Sequence, residues 1–245
     1  ENQIKKWMNS FFISVTMRFS DEIIYVSEET KQSFGSPKGF AIRNGIDTEK
    51  YIQNKRKRIE LRQKHNLQSQ FVLLFASRWV PDKGIFRLLT SFKDIKETYG
   101  KDIKLVLIGS GDKDQVLKEI EILDIADGVL PIGTVNDVYD YYCMADLFIL
   151  PSLFEGLPIA LLEAMSCSLP CIASKVGGNP ELITSGDNGY LIEPGDPEEL
   201  TEAIEWCLDN RQNLESVGKN AAQTVRERFS MEAVANKYIK AYTEL

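Results

Sequence analysis

The sequence predicts an α/β fold, a doubly wound parallel sheet with helices on both faces. Short apolar runs alternate with longer stretches of helical period along most of the chain, the pattern of strand–helix–strand units. The run Phe71-Val72-Leu73-Leu74-Phe75-Ala76 is apolar at every position, as expected of a strand buried on both faces. Third, the residues best suited to bind a ligand cluster where predicted strands end, and in open parallel sheets ligands sit at the carboxyl ends of the strands.

The elements read in order as follows. Ile4, Trp7, Met8, Phe11, Phe12, Val15 and Phe19 recur at helical spacing and predict an amphipathic first helix. A strand over 22–27 and a short helix through Lys31 come next. Beyond the strand at 71–76, the pattern predicts a helix over 84–99, a strand over 104–108 and a helix over 113–122. A strand over 129–132, a helix over 137–144, a strand over 147–150 and a helix holding Glu163 follow. Strands over 170–173 and 189–192 and three C-terminal helices complete the chain.

Composition bounds the function. The chain has 245 residues, 43% of them hydrophobic, enough for a substantial core. A net charge of −7 argues against nonspecific nucleic-acid binding, which needs a broad basic surface. Cys143, Cys167, Cys171 and Cys207 form no C-x-x-C pair and His65 stands alone, so a zinc site is not expected. Scattered thiols fit a reducing cytoplasm, and no apolar run approaches the roughly 20 residues that span a bilayer.

Glu155 and Glu163 stand eight positions apart across a strand-to-helix turn. Pro158 suits the first helical turn, where a missing N–H has no partner to lose. The turn would then aim the free N–H groups around Gly156, Leu157 and Ile159 at a ligand, and helix N-termini attract phosphate. At 1.5 Å per helical residue the two acids lie within about 12 Å, a span that suits a nucleoside diphosphate sugar. Surface acids flanking a core helix would look the same. Arg78 and Lys83 follow the strand at 71–76, and Gly84 lets a helix start close by. Two fixed cations there would stabilise the charge of a departing diphosphate, although two solvated loop cations would also fit.

Gly109-Ser110-Gly111 opens like a dinucleotide fingerprint, but Asp114 occupies the third glycine position. A tight turn needing glycine is the better reading. The run Lys55-Arg56-Lys57-Arg58, with Arg62 and Lys64, reads as a solvated face; clustered cations of this kind also bind anionic lipid. His65 reads as an exposed loop residue.

The segment from Glu155 to Glu163 resembles the Glu-x7-Glu signature of the retaining nucleotide-sugar glycosyltransferases of family 4 (glycosyl transferases group 1). Ile42-Arg43-Asn44-Gly45-Ile46-Asp47, the loop from Ala76 to Gly84, Leu105-Val106-Leu107-Ile108-Gly109-Ser110-Gly111, Ala145-Asp146, Val176-Gly177-Gly178-Asn179-Pro180-Glu181 and Asn188-Gly189-Tyr190-Leu191 follow that family's order. The resemblance runs from about Ser20 to Leu245 and departs from the usual pattern at Trp79 and Arg43. It implies a GT-B architecture of two facing Rossmann-like lobes. Residues 1–47 would end the N-terminal, acceptor-binding lobe, whose earlier part would be missing, so residues 1–245 alone would bind donor without transferring sugar. Residues 48–230 would form the donor lobe, and 231–245 a helix crossing back onto the first. It further implies that Glu155, with the Gly156 and Leu157 amides, holds the donor sugar, and that Glu163 holds the ribose. Thr134 and Val135 would meet the base, and Asn44 and Gly45 would lie at the substrate cleft. The implied activity is sugar transfer with retention to an unknown sugar or lipid-linked acceptor, with no metal or other cofactor, in the cytoplasm or at the inner membrane face. A nucleotide-sugar epimerase and a noncatalytic nucleotide-sugar-binding module are the alternatives.

Overall fold

The computed structural model describes residues 15, 17–35 and 38–243. Most of the expected first helix lies outside them. Six parallel strands form one sheet: β3 (Phe71–Ala76), β4 (Ile103–Ile108), β5 (Val129–Gly133), β6 (Leu147–Leu150), β7 (Cys171–Ser174) and β8 (Tyr190–Ile192). Their order across the sheet is β5-β4-β3-β6-β7-β8. The chain winds outward from β3 to β5 and then returns to place β6 beside β3. The loops after β3 and β6 therefore flank the point where the winding reverses, the crevice in which such sheets bind ligands.

Every residue of β3 is buried, and its side chains alternate between two cores. Val72, Leu74 and Ala76 join Phe148, Leu150, Leu161 and Leu162 on one face. Phe71, Leu73 and Phe75 join Leu88, Leu89, Phe92, Ile149 and Ile204 on the other. Both layers are thus specified by period-2 alternation within an all-apolar strand. Preceding this sheet, β1 (Ile24–Tyr25) pairs in parallel with β2 (Phe40–Ala41).

Several boundaries differ from expectation. The strand expected over 22–27 is only Ile24–Tyr25, because Ser27 leaves it to cap the helix Glu28–Phe34 by accepting from the Thr30 N–H. The helix expected from residue 137 starts at Tyr139, with the Asp137 carboxylate accepting the Tyr139 N–H. Asp112 likewise caps Lys113–Ile122 by accepting from Gln115.

The basic run is corrected in part: Lys55, Arg56 and Lys64 are exposed, as a solvated face requires, but Lys57, Arg58 and Arg62 are not. It opens the helix Lys55–Lys64, and Arg58 and Arg62 turn inward onto the Asp146 carboxylate. Arg58 also donates to the Met144 and Ala145 carbonyls at 2.8 Å, and the buried Arg62 donates to those of Met144 and Gln70. Asp146 in turn accepts the Val72 N–H at 2.7 Å, locking the starts of β3 and β6 together. Lys57 pairs with Asp140. These cations build the fold at the end of the sheet away from the reversal point. His65 is also not an exposed loop residue: it caps this helix, its Nε2 is buried without a partner, and its ring lies 6.0 Å from that of Tyr141. Burial pushes its pKa below the ordinary value.

Candidate active site

Two loops meet at the reversal point. Residues 77–84 leave β3 and pass through a single 3₁₀ turn, Pro81–Lys83, which ends at Gly84 with φ +77°. A Cβ on Gly84 would lie 2.0 Å from the Pro151 carbonyl oxygen, so only glycine lets this loop sit against the one leaving β6. The Leu153 N–H donates to the Asp82 carbonyl at 2.8 Å, and Arg87 donates to that of Pro151 at 2.8 Å.

That packing brings Lys83 and Glu155 together. Lys83 Nζ donates to Glu155 Oε1 at 2.7 Å and lies 3.4 Å from the Phe154 carbonyl oxygen. Ser152 Oγ donates to the same carboxylate oxygen at 2.7 Å. The pair is shielded, with side-chain exposures of 16% and 8%, so it interacts more strongly than a surface pair would. Arg78 is exposed, and its guanidinium makes no hydrogen bond or ion pair to any described residue, while its carbonyl accepts the Val80 N–H at 3.0 Å. The loop thus presents one cation already engaged and one free.

The turn after Glu155 is held from behind. Pro158 stands one position earlier than the spacing suggested: it is the N-cap residue, with φ −73° and ψ 122°, and the helix is Ile159–Ser166. The Gly156 and Leu157 N–H groups donate to no described backbone acceptor. A Cβ on Gly177, at φ +56°, would lie 2.0 Å from the Glu155 carbonyl oxygen, and the Gly178 N–H donates to the Gly156 carbonyl. The paired glycines let loop 176–178 lie directly under the turn.

Glu163 lies on the helix, partly buried, and its Oε2 accepts from the Tyr142 hydroxyl at 3.0 Å. Burial first, then the Glu163 charge, push the Tyr142 phenol well above its usual range, so it remains a donor. Burial, then hydrogen bonding to Glu163 and its charge, also raise the Tyr51 phenol, and its ring stands edge-on to those of Tyr139 and Tyr142. Thr134 is exposed, and Val135 packs against the core at the mouth of β5.

Asn44 and Gly45, expected at the substrate cleft, both make contacts within the protein. Asn44 Nδ2 donates to the Leu157 carbonyl at 2.9 Å. A Cβ on Gly45 would lie 3.0 Å from Val234 of the C-terminal helix Met231–Thr243. Asn44 therefore supports the turn, and Gly45 admits the helix. Gly109 and Gly111 are packing glycines: a Cβ on them would strike the Ser77 and Trp79 carbonyl oxygens at 1.8 and 2.3 Å. Trp79 is 1% exposed, and its backbone N–H donates to the Ser110 carbonyl at 2.7 Å. It anchors the loop that carries Arg78. Ser152, Tyr51 and Tyr142 were not singled out from the sequence; each sits in an ordinary apolar or polar context there, with no motif to mark it.

Residues 57–224 match the family "Glycosyl transferases group 1". The chain is 32% identical over 209 residues to N-acetyl-alpha-D-glucosaminyl L-malate synthase of Bacillus anthracis, covering 82% of this chain and 52% of that protein. It is 29% identical over 253 residues to UDP-Gal:alpha-D-GlcNAc-diphosphoundecaprenol alpha-1,3-galactosyltransferase of Escherichia coli, covering 99% and 64%. Crystal structures of Anabaena Alr3699/HepE superpose with TM-scores of 0.89 in complex with UDP and 0.87 in complex with UDP-glucose, at 24% and 25% identity. Both cover 95% of this chain and 66% of that one. The chain thus spans about half to two thirds of the length of these proteins. It belongs to the glycosyl transferases group 1 family.

Proposed function

We propose that the chain binds a nucleoside diphosphate sugar at the reversal point and serves its transfer to a sugar or lipid-linked acceptor. The observation that carries this reading is the Lys83–Glu155 pair, with the exposed Arg78 on the same loop as Lys83. A diphosphate entering between the two loops would meet one uncommitted cation and a second held ready by a carboxylate. Both supply positive charge where the leaving group gains negative charge as the glycosidic bond breaks, and the reaction in this reading takes no metal. The unpaired Gly156 and Leu157 amides, with Glu155, bind the sugar's hydroxyls. Glu163, oriented by Tyr142, accepts from the ribose, and the segment at Thr134 and Val135 meets the base. The names of the relatives support a nucleotide sugar as donor. Retention of configuration follows from the resemblance to family 4 carried by the two-glutamate spacing.

Among the described residues no helix is long and apolar enough to cross a membrane. A peripheral lipid contact through the basic helix would fall to Lys55, Arg56 and Lys64, since Lys57, Arg58 and Arg62 pair with Asp140 and Asp146. A thermal-shift screen of nucleotide sugars tests the donor reading, followed by product analysis with and without sugar acceptors. Acceptor-dependent transfer would support a transferase, and free nucleotide or an isomerised sugar from donor alone would indicate an epimerase.

A further inference from the structure

Glu181 has no part in the reading above, yet it joins the N-terminal elements to the turn that carries Glu155. It lies in the short helix Asn179–Leu182, which directly follows the paired glycines 177 and 178. Its Oε1 accepts the Glu28 N–H, 153 residues away in the chain, at 2.8 Å. Its Oε2 pairs with Arg43, and the two side chains are 16% and 23% exposed. Its carbonyl accepts from Arg228 at 3.2 Å. Just before Glu28, the fully buried Ser27 and its neighbour Val26 press against the turn. A Cβ on Gly156 would lie 3.2 Å from Val26 Cγ2, and one on Gly178 would lie 3.3 Å from Ser27 Cβ and 2.4 Å from Leu157 Cδ1. Segment 26–28, loop 176–181 and turn 155–157 therefore pack as three layers, closest between loop and turn and tight against segment 26–28.

We propose that Glu181 is a positioning residue whose two-pronged contact with Glu28 and Arg43 clamps these layers, setting the donor turn through the Gly177–Gly178 loop. The proposal rests on reading turn 155–157 as the donor-sugar site. One carboxylate oxygen fixes the N-terminal segment and the other fixes the segment leading to Asn44, whose amide holds the Leu157 carbonyl from the same side. A shift of the N-terminal elements is thereby transmitted to the amides that face the sugar. A diphosphate contacts Arg78 and Lys83 and does not depend on these amides. Loss of the clamp weakens the intact nucleotide sugar and spares the bare nucleotide.

The test uses wild type, Glu181→Ala, Glu181→Gln and Arg43→Ala in two measurements. Without ligand, the Gly178 amide, which donates to Gly156, should exchange at least tenfold faster in Glu181→Ala, with β3 amides within twofold of wild type. Calorimetry should show UDP-glucose bound at least fivefold more weakly and UDP within twofold. Glu181→Gln, which still accepts from Glu28, and Arg43→Ala should fall between. Unchanged Gly178 exchange, exchange accelerated equally throughout the sheet, or equal losses for UDP and UDP-glucose would each overturn the clamp. Failure of wild type to bind UDP, UDP-glucose or any other nucleotide sugar of the screen would overturn the donor reading instead, and the exchange data would then decide the clamp alone.

Discussion

Lys83→Ala separates two roles that the structure gives to one side chain. Lys83 and Ser152 donate to the same oxygen of Glu155, a carboxylate 8% exposed. Removing the lysine leaves that charge shielded with Ser152 as its donor. Breaking a buried pair on one side costs about 3–5 kcal/mol, and the residual exposure together with Ser152 favours the lower end. For a chain of this size about 3 kcal/mol corresponds to a fall in Tm of about 6–12 °C. The second role is binding: loss of one charge-assisted contact to a diphosphate costs about 1.5–3 kcal/mol, roughly tenfold to a hundredfold in Kd. Lys83→Ala/Glu155→Gln separates the two. Neutralising the carboxylate should restore most of the lost stability and none of the lost nucleoside diphosphate affinity, as read by thermal melts and calorimetry on the four proteins of the cycle. If the double variant recovers affinity along with stability, Lys83 acts on the nucleotide only by holding Glu155, and the direct contact argued above does not exist.

Other outcomes follow from the same geometry. Glu163→Gln should weaken bare nucleoside diphosphate by calorimetry, because the ribose is present in it; Glu155→Gln should weaken only the intact nucleotide sugar, and the reverse pattern would mean the donor lies the other way across the turn. Asp146→Ala strands Arg58 and the buried Arg62 and should cost about 3–5 kcal/mol in urea unfolding, while nucleotide affinity in the surviving folded protein stays unchanged, since the cluster sits at the far end of β3 and β6. The folded pKa of His65 is depressed by burial, so at mildly acidic pH the unfolded chain binds a proton that the native state resists. Its contribution is present above the ordinary value of 6.5 and is lost as pH falls below it. A pH series of unfolding midpoints should show that loss, and His65→Gln should flatten it.

The sheet was legible because its strands are apolar enough to declare themselves. Phe71–Ala76, Leu147–Leu150 and Lys113–Ile122 begin and end where the pattern predicts. Boundaries slipped where a polar side chain takes over the backbone, as Ser27 and Asp137 do by capping, which hydrophobic periodicity does not register. The candidate site divides in the same way. Arg78, Lys83, Glu155 and Glu163 lie on strand-end loops and the following helix, and their positions were readable. Their partners were not: Lys83 meets Glu155 across 72 residues, and Tyr142 meets Glu163 across 21. The cations of the basic helix looked solvated because nothing local reveals Asp146, which lies 84 residues beyond Arg62. The contact of the Asn44 amide with the Leu157 carbonyl is likewise visible only after folding.

The central claim is the place of the diphosphate, and an NMR titration of isotopically labelled protein with UDP tests it most directly. Saturable amide shifts are expected in residues 77–84, 133–135 and 155–159, at the carboxyl ends of β3, β5 and β6. The Asp146 cluster at the opposite ends of the strands should stay silent. Saturable shifts confined to another face, such as the groove lined by Ser168, Lys219 and Arg226, would contradict the account.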